Sequence, residues 1–402
     1  MATATTDICL LFLQDVATDA RTLNIARSLR KAGWSVTIVG WERNSAVQRL
    51  SEQGLALLPV QPPKTRMLWQ WLHFLTVALV KAPAAKVYWA EDLYTLPLAL
   101  WLRYRRGAQA VVYDARELYF ALSSLAHRPV IQQFWQWLER RCLPYVDGLL
   151  VSGDRDLQAM QRQYQQLPDQ TLVLRNVPPY RQEGATNRLR QHFQLPPDVP
   201  IVVYQGVLLP GRGIEKIIAA LPLLPNWFFA IIGAGPEEST VRRYAERYSV
   251  ADRCLFPGAV PYDELLEWTA SADVGVALIE PRSYSYELAL PNKLFEYCQA
   301  RIPVLATRLP AMQEVIDAYN LGLTIEPSAS PEQIAHHLQM LYRWKRDPRW
   351  VKQCAVAARQ LCWEQQEAGF LRWVDALLTA TASPASKASS TTTQYTDAHI
   401  SG

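Results

Sequence analysis

The stretch DICLLFLQDVATDARTLNIARSLRKAGWSVTIVG, residues 7–40, decides the fold class. Its apolar run at Asp7–Leu13 has the length and composition of a buried strand. Apolar residues at helical spacing follow and end at Gly33, after which a second apolar run, WSVTIVG, begins. Strand, helix and strand in this order form the repeating unit of a doubly wound parallel sheet. We therefore predict an α/β fold.

The same alternation continues on both sides of one polar, proline-rich segment, Val177–Pro200. Before that segment the apolar runs are KVYWA, AVVYDA and GLLVS; after it they are IVVYQGV, WFFAIIGAG, RCLFPG, DVGVALI and IPVLAT. We predict two Rossmann-like domains, 1–177 and 200–380, joined by a linker over 178–199. The last helix is expected to pack back on the first domain, and the Ser/Thr-rich tail 381–402 to be disordered.

The composition fits a globular protein and leaves the ligand open. Half of the 402 residues are apolar, and a net charge of +4 is compatible with phosphate-bearing substrates or an anionic membrane surface. The six cysteines form no C-x-x-C pair and the N-terminus lacks a basic signal region, so we expect a cytoplasmic protein. The apolar stretch Met67–Val80 is too short to cross a bilayer. No feature points to nucleic acid.

Ligands of open α/β sheets bind outside the carboxyl ends of the strands. The segment YQGVLLPGRGIEKII, residues 204–218, contains the end of a predicted strand, a loop and the start of a helix. Here Gly206 and Gly213 permit a tight turn through which backbone amides approach an anion, and Arg212 offers a fork for a diphosphate. A plain turn with a surface arginine explains the same residues, and spacing alone leaves both readings open.

The glycines of IIGAGPEES, residues 231–239, resemble part of a dinucleotide fingerprint. Gly233 and Gly235 are present, but Glu238 occupies the place of the third glycine and would repel a pyrophosphate. A dinucleotide-dependent oxidoreductase is therefore disfavoured. A turn that contacts a ribose or base remains the better interpretation for Gly233.

A third candidate lies in EPRSYSYELALPNKLFEYCQAR, residues 280–301, where Pro291 and Asn292 suit the first turn of a helix. Lys293 and Glu296 are three residues apart and share one side of that helix, next to its amide end. Lys293 can then meet phosphate and Glu296 the hydroxyls of a ribose. An exposed Lys–Glu pair without a ligand is the alternative.

In the first half, Asp114, Arg116 and Glu117 follow one predicted strand, and Glu91 and Asp92 follow another. Carboxylates at these places can bind acceptor hydroxyls or act as a base, although helix capping explains Asp92 equally well. The histidines show no metal-ligand spacing and there is no Asp-x-Asp pair. We expect a site without a metal or a resident cofactor.

Several of these pieces, in this order and spacing, resemble glycosyltransferase family 4, whose members are retaining enzymes of the GT-B fold. The resemblance extends to about residue 345 and rests on these segments: TDARTLNIARSLRKAGWSVTIVG, AEDLYTLPLA, VVYDARELY, WLERRCLPYVDGLLVSGDRDL, VLRNVP, YQGVLLPGRGIEKII, IIGAGPEES, LFPGAVPYDELLEWTASADVGVALI and LPNKLFEYCQARIPVLAT. It implies two facing domains with a cleft between them. The C-terminal domain would bind a nucleotide-sugar donor and the N-terminal domain a glycan or lipid-linked acceptor.

The resemblance also assigns donor-site roles to individual positions. Arg212 matches the basic residue of a K/R-G step that binds diphosphate, and Glu296 matches the second glutamate of an E-x7-E element, expected on the ribose. Leu288 occupies the first glutamate's place, and Glu287 is a displaced candidate. The remaining donor-binding positions implied are Gly206, Gly213, Gly233, Asn292, Lys293 and Leu294.

In the acceptor domain, related sequences often read D-x-H-E where this chain has Asp114, Ala115, Arg116 and Glu117. Asp114, Arg116 and Glu117 are the catalytic candidates, yet Arg116 stays charged and cannot act as a general base. The departures at Arg116 and Leu288 leave a second hypothesis, a catalytically weakened GT-B protein that binds nucleotide or glycan and supports a partner enzyme. A sugar-nucleotide epimerase of the same fold also remains open.

Residues 67–80 and the basic run RYRR, residues 103–106, suggest a peripheral contact with the inner face of a membrane. A buried helix and a solvated turn are the alternative interpretation of these two segments.

Overall fold

A computed structural model describes residues 5–16, 19–41, 46–64, 67–122, 128–182 and 184–382. The predicted disordered tail lies outside these residues, except for its first two positions, which end the last helix.

The first sheet has seven parallel strands, and its strand order reverses at one point. The strands are β1 (Thr5–Asp15), β2 (Val36–Trp41), β3 (Ala56–Val60), β4 (Ala84–Ala90), β5 (Ala110–Ala115), β6 (Gly148–Val151) and β7 (Gln170–Val173). Their order is β3-β2-β1-β4-β5-β6-β7, so the reversal falls between β1 and β4. The helices of this half are α1 (Ala20–Lys31), α2 (Ala46–Glu52), α3 (Met67–Lys81), α4 (Leu96–Arg106), α5 (Pro129–Cys142) and α6 (Asp154–Gln163).

The second sheet has six parallel strands with a corresponding reversal between β8 and β11. The strands are β8 (Ile201–Gln205), β9 (Phe228–Ile232), β10 (Cys254–Gly258), β11 (Val274–Ala277), β12 (Val304–Thr307) and β13 (Gly322–Ile325), in the order β10-β9-β8-β11-β12-β13. The remaining helices are α7 (Arg188–His192), α8 (Ile214–Ala220), α9 (Glu238–Arg247), α10 (Tyr262–Ala270), α11 (Tyr284–Glu287), α12 (Asn292–Gln299), α13 (Pro310–Tyr319), α14 (Pro331–Trp344), α15 (Pro348–Gln360) and α16 (Trp363–Ala382).

Helix α16 returns from the second half of the chain and covers one face of the first sheet. Phe370 and Trp373 lie edge-on to Trp89, at ring-centroid distances of 6.0 and 6.1 Å. Gly148 of β6 makes room for this helix, because a Cβ there would lie 2.9 Å from the Trp373 ring. The buried apolar contact of α16 therefore ties the two halves together.

The predicted class, two doubly wound α/β units, is confirmed by these sheets. The alternative interpretation of two segments, a buried helix and a solvated turn, differs from the structure. The RYRR run is the last turn of α4 and not a turn between elements. The stretch at 67–80 is a helix, α3, whose first residues are open to solvent, with Met67 70% exposed.

Candidate functional site

The start of helix α12 is held at the reversal point of the second sheet. Tyr297 donates its hydroxyl to the carbonyls of Val203 on β8, at 3.2 Å, and Val276 on β11, at 3.1 Å. Gly275 allows this approach, because a Cβ there would lie 2.5 Å from the Tyr297 ring. The first turn of α12 is thereby fixed beside the carboxyl ends of β8 and β11, where ligands of such sheets bind.

Two cations from separate segments converge at this place. The Lys293 ammonium lies 3.7 Å from the ring centre of Tyr204, and the Arg212 guanidinium 4.9 Å from that of Tyr286. Lys293 is only 8% exposed, and within the described ranges neither cation forms an ion pair with a carboxylate. Burial, and to a smaller extent the nearby charge of Arg212, holds the pKa of Lys293 well below its usual value. The negative charge of Glu296 opposes this shift.

Glu296 faces an open cavity between the two halves. Gln205 donates its side-chain amide to the Glu296 carboxylate and is itself held by Thr269, whose hydroxyl donates to Gln205 Oε1 at 2.5 Å. Burial raises the pKa of Glu296, and the hydrogen bond from Gln205 and the charge of Lys293 oppose that shift. The cavity, about 170 Å³, is also lined by Tyr262 of α10 and Arg27 of α1.

Three predicted glycines lie in the loops around these cations, each at positive φ. Gly233, at φ +142°, lies so close to Gly206 that a Cβ would come 2.0 Å from the Gly206 carbonyl oxygen. Gly213, at φ +70°, precedes α8, and a Cβ there would lie 2.2 Å from the carbonyl oxygen of Leu278. These glycines bring the loops after β8, β9 and β11 into contact.

The other predicted donor-site residues are not all brought to the cavity. Asn292 is exposed at the first position of α12, and Glu287 is exposed at the end of α11. Leu294 is fully buried in the core, and its N–H already donates to the Pro291 carbonyl at 3.0 Å. Leu288, from the second half, packs against the apolar core of the first half.

In the first half, Arg116 lies within a cluster of carboxylates. It donates to Asp19 at 2.9 Å and to the Glu91 carboxylate, and its Nε lies 3.3 Å from Asp114. The Thr22 hydroxyl accepts a further N–H at 2.9 Å. Three of the five guanidinium N–H groups are thus used, and a fourth, on Nε, is buried beside Asp114 without a hydrogen bond. Only 14% of the Arg116 side chain is exposed.

Asp114 serves a second arginine at the same time. Arg21 binds both Asp114 oxygens, at 2.6 and 2.7 Å, and also donates to the Leu174 carbonyl at 2.5 Å. Three carboxylates, Asp19, Glu91 and Asp114, thus face two guanidinium groups, leaving one excess negative charge. Burial raises the pKa of the fully buried Glu91 to about 8. The charge of Arg116 opposes this shift, and the charges of Asp114 and Asp19 add to it.

Glu117 is the predicted catalytic residue that is open to solvent in the crevice. Desolvation by the surrounding protein raises its pKa, whereas Arg212 of the other half and the neighbouring Arg116 oppose that shift. Because the charge of Arg212 acts on Glu117, these two residues lie near each other. The predicted donor and acceptor residues therefore lie on the two sides of one crevice. Asp114, by contrast, is enclosed by arginines.

The sequence did not indicate the role of Asp19 and Arg21. It suggested Glu91 as a candidate but not its contact with Arg116. The segment TDAR contains Asp19 and Arg21, but it is separated from Arg116 by more than 90 residues along the chain. Gln205, which orients Glu296, was also missed, although it is the last residue of β8.

Two further features concern only the part of the chain that the structure describes. No group of three or more His, Cys, Asp and Glu side chains there is arranged to hold a metal ion. No helix there has the length and apolar character needed to cross a membrane.

Two family models match the chain, one on each half. Residues 17–176 match the glycosyl transferase 4-like domain, and residues 186–356 match the glycosyl transferases group 1 model.

Among curated relatives, a GDP-mannose-dependent alpha-(1-6)-phosphatidylinositol monomannoside mannosyltransferase of Mycolicibacterium smegmatis is 31% identical over 147 residues, which is 35% of this chain and 38% of the relative. The first relatives are thus matched over well under half their length. A 2-deoxystreptamine glucosyltransferase of Streptomyces kanamyceticus is 26% identical over 86% of this chain and 94% of the relative.

Solved structures of GT-B proteins align along almost the whole chain. Sucrose-phosphate synthase of Thermosynechococcus elongatus superimposes with a TM-score of 0.72 at 17% identity, covering 93% of this chain and all of the other. Anabaena HepE in complex with UDP-glucose gives 0.70 at 14% identity, covering 90% of this chain and 99% of the other. At these identities the likeness concerns the fold, and the predicted GT-B architecture is confirmed.

Proposed function

Because the chain belongs to the group 1 glycosyl transferases, with a 4-like domain in its first half, we propose that it transfers a sugar from a nucleoside-diphosphate sugar to a glycan or lipid-linked acceptor. The donor sugar is a hexose, the anomeric configuration is retained, and no metal takes part. Nucleotide sugar is a co-substrate, so no resident cofactor is needed.

The observation that supports this proposal most strongly is the pair of cations at the reversal point. The charge of Arg212 lowers the pKa of Lys293, which shows that the two cations lie close together. Neither forms an ion pair among the described residues, although Glu296 and Glu117 lie near enough to act on them electrostatically. Holding two like charges together, one of them buried, costs free energy unless an anion neutralises them. A diphosphate has the charge and the size to do so.

The donor then extends from these cations in two directions. On one side, Glu296 accepts hydrogen bonds from the ribose hydroxyls, held in place by Gln205. On the other, the sugar points across the crevice towards Glu117, on the side of the acceptor. Arg116 acts as a positioning residue, because three of its N–H groups are hydrogen-bonded within the first domain and a fourth is buried there. Asp114 supports it.

The chemistry requires one bond exchange. The bond between the anomeric carbon and the diphosphate oxygen breaks while the acceptor oxygen forms a new bond to that carbon from the same face. The acceptor proton passes to the departing phosphate oxygen, so a protein base at position 116 is not required. Arg212 and Lys293 stabilise the charge that develops on the leaving diphosphate.

Relatives indicate which substrates to try first. One acts, by name, on a phosphatidylinositol monomannoside with GDP-mannose, another on 2-deoxystreptamine, and a structural neighbour was solved with UDP-glucose. We propose a cytoplasmic protein that reaches lipid-linked acceptors by peripheral contact with the inner membrane face and has no nucleic-acid partner.

The test is turnover with a panel of nucleotide sugars, with and without candidate acceptors, alongside direct binding of the same donors. A transferase releases nucleoside diphosphate from at least one donor, and Lys293→Met abolishes that release. The alternative, a weakened GT-B protein that supports a partner enzyme, is motivated by Arg116 and Leu288. It predicts saturable donor binding without release, and that result would refute the transferase proposal.

A further inference from the structure

Large apolar side chains are exposed on one face of the first half far more than elsewhere. Of the eighteen that are open to solvent among the described residues, eleven belong to helices α3, α4 and α5. They are Met67, Leu68, Trp69, Leu72 and Val80 on α3, Trp101 and Tyr104 on α4, and Val130, Ile131, Phe134 and Trp137 on α5. We call these three helices the aromatic–arginine face. A soluble protein rarely leaves so many aromatic side chains together without a partner surface.

The three helices form a continuous layer. All of them pack on the same side of the first sheet, with α4 in contact with both α3 and α5. Trp71 of α3 meets Trp135 of α5 edge-on at 5.4 Å, and next to it Phe134 stacks on Trp137 at 6.1 Å. The exposed rings therefore continue a packed aromatic cluster, which limits their freedom to turn inwards.

The charge on this face has one sign. The three helices contain six lysines and arginines and a single acid, Glu139. That acid is buried and accepts hydrogen bonds from Tyr113 at 2.7 Å and Tyr164 at 2.5 Å, so it is not presented at the surface. Arg105, Arg140 and Arg141 are exposed and form no ion pair within the described part of the chain.

The aromatic cluster also leads to the crevice. Trp135 lies 4.8 Å from Tyr94, and Tyr94 lies 5.4 Å from Tyr119. Tyr94 follows β4, and Tyr119 comes two residues after Glu117, so both are at the carboxyl edge of the sheet. A line of aromatic rings thus runs from the exposed face to the acceptor side of the site.

We propose that the aromatic–arginine face docks on an anionic phospholipid bilayer and that the acceptor is anchored in that bilayer. Tryptophan, tyrosine and phenylalanine enter the interfacial layer of a membrane, and each nearby arginine gains from the negative surface potential. A face with exposed cations and no exposed acid suits a uniformly negative surface. The statement about the acceptor rests on the proposed function, whereas the docking of this face on a bilayer does not depend on it.

The experiment is flotation of the full chain with vesicles of phosphatidylcholine alone and of phosphatidylcholine mixed with phosphatidylglycerol. One variant removes the charges, by Arg105→Gln, Arg140→Gln and Arg141→Gln; another removes the apolar rings, by Trp69→Ser, Phe134→Ser and Trp137→Ser. Matched controls change exposed residues of the second half: Arg243→Gln, Arg247→Gln and Lys352→Gln, or Val351→Ser and Val356→Ser. Each protein is also tested for binding of nucleoside diphosphate, which checks its folding and is independent of the membrane.

The parent and both controls should float with the mixed vesicles, and less so at high ionic strength. At about fivefold for each arginine, the charge variant should lose about a hundredfold in partitioning, and the ring variant should lose binding to both vesicle types. All variants should retain nucleotide binding. Absence of parent flotation, or equal flotation of variants and parent, would overturn the proposal. The proposal would also be overturned if the parent forms a dimer and does not bind vesicles, and the ring variant is a monomer. That result would identify a second copy of the chain as the partner of this face.

Discussion

Removal of Arg116 should destabilise the protein in a way that depends on pH, because of its contact with Glu91. Glu91 is fully buried and shares the excess negative charge of the cluster, and its pKa is raised from 4.5 to about 8. Between these two values the folded state binds a proton that the unfolded state has lost, so stability falls as pH rises through that window and levels off above it. Arg116 opposes the shift. In Arg116→Met, the pKa of Glu91 therefore rises further and stability continues to fall above about pH 8.

A double-mutant cycle with Glu91→Gln isolates this pair from the contacts of Arg116 with Asp19 and Asp114. At about pH 6, where Glu91 is protonated, we expect a coupling free energy below about 1 kcal/mol. At about pH 9, where the charged carboxylate would be left buried and unpaired, we expect about 3 kcal/mol. The measurement is urea unfolding of the four proteins at both pH values, followed by circular dichroism. Equal coupling at both pH values, or none at the higher one, would refute the assignment of the excess charge to Glu91.

Three further outcomes are expected. Gly233→Ala should lower the free energy of unfolding by at least about 2 kcal/mol, because its Cβ would lie 2.0 Å from the Gly206 carbonyl oxygen; Gly107→Ala, which also has positive φ but open space, should lose about 1 kcal/mol in the same denaturation assay. Binding of a nucleoside diphosphate should raise the lowered pKa of Lys293, so calorimetry in buffers of different ionisation enthalpy should detect proton uptake and an affinity that falls as pH rises; Lys293→Met should show neither. Burial raises the pKa of Glu139 from 4.5 to about 7, so stability should fall as pH rises through that window, and Glu139→Gln should flatten the slope seen in thermal unfolding.

The sequence was sufficient to predict the fold because its signal is local. Short, mainly apolar strands alternate with helices of period 3.6, and this order predicts a parallel sheet. The same local signal predicts Arg212, Lys293 and Glu296 at one edge of the sheet: Arg212 lies in the loop after β8, and Lys293 and Glu296 lie on α12 in the connection after β11. Their role in binding a donor stays a prediction.

The partners of these residues were not predictable, because they depend on contacts distant in sequence. Arg116 has the sequence context of a site residue, but whether it is free for a ligand depends on Asp19, which lies 97 positions earlier, and on Glu91. Leu294 is among the predicted donor-binding residues, yet helical geometry turns its side chain into the core. Likewise, the apolar pattern of α3 does not reveal whether its rings are covered, which depends on where α5 packs.

The central claim is that Arg212 and Lys293, neither of which forms an ion pair among the described residues, bind a diphosphate. Calorimetric titration tests it most directly: nucleoside, nucleoside monophosphate and nucleoside diphosphate are each titrated into the parent, Arg212→Met and Lys293→Met. The parent should bind the diphosphate at least tenfold more tightly than the monophosphate, because one added charge-assisted contact contributes about 1.5 kcal/mol or more, and each variant should lose that preference. A parent that binds the three ligands equally, or variants that keep the preference, would contradict the account.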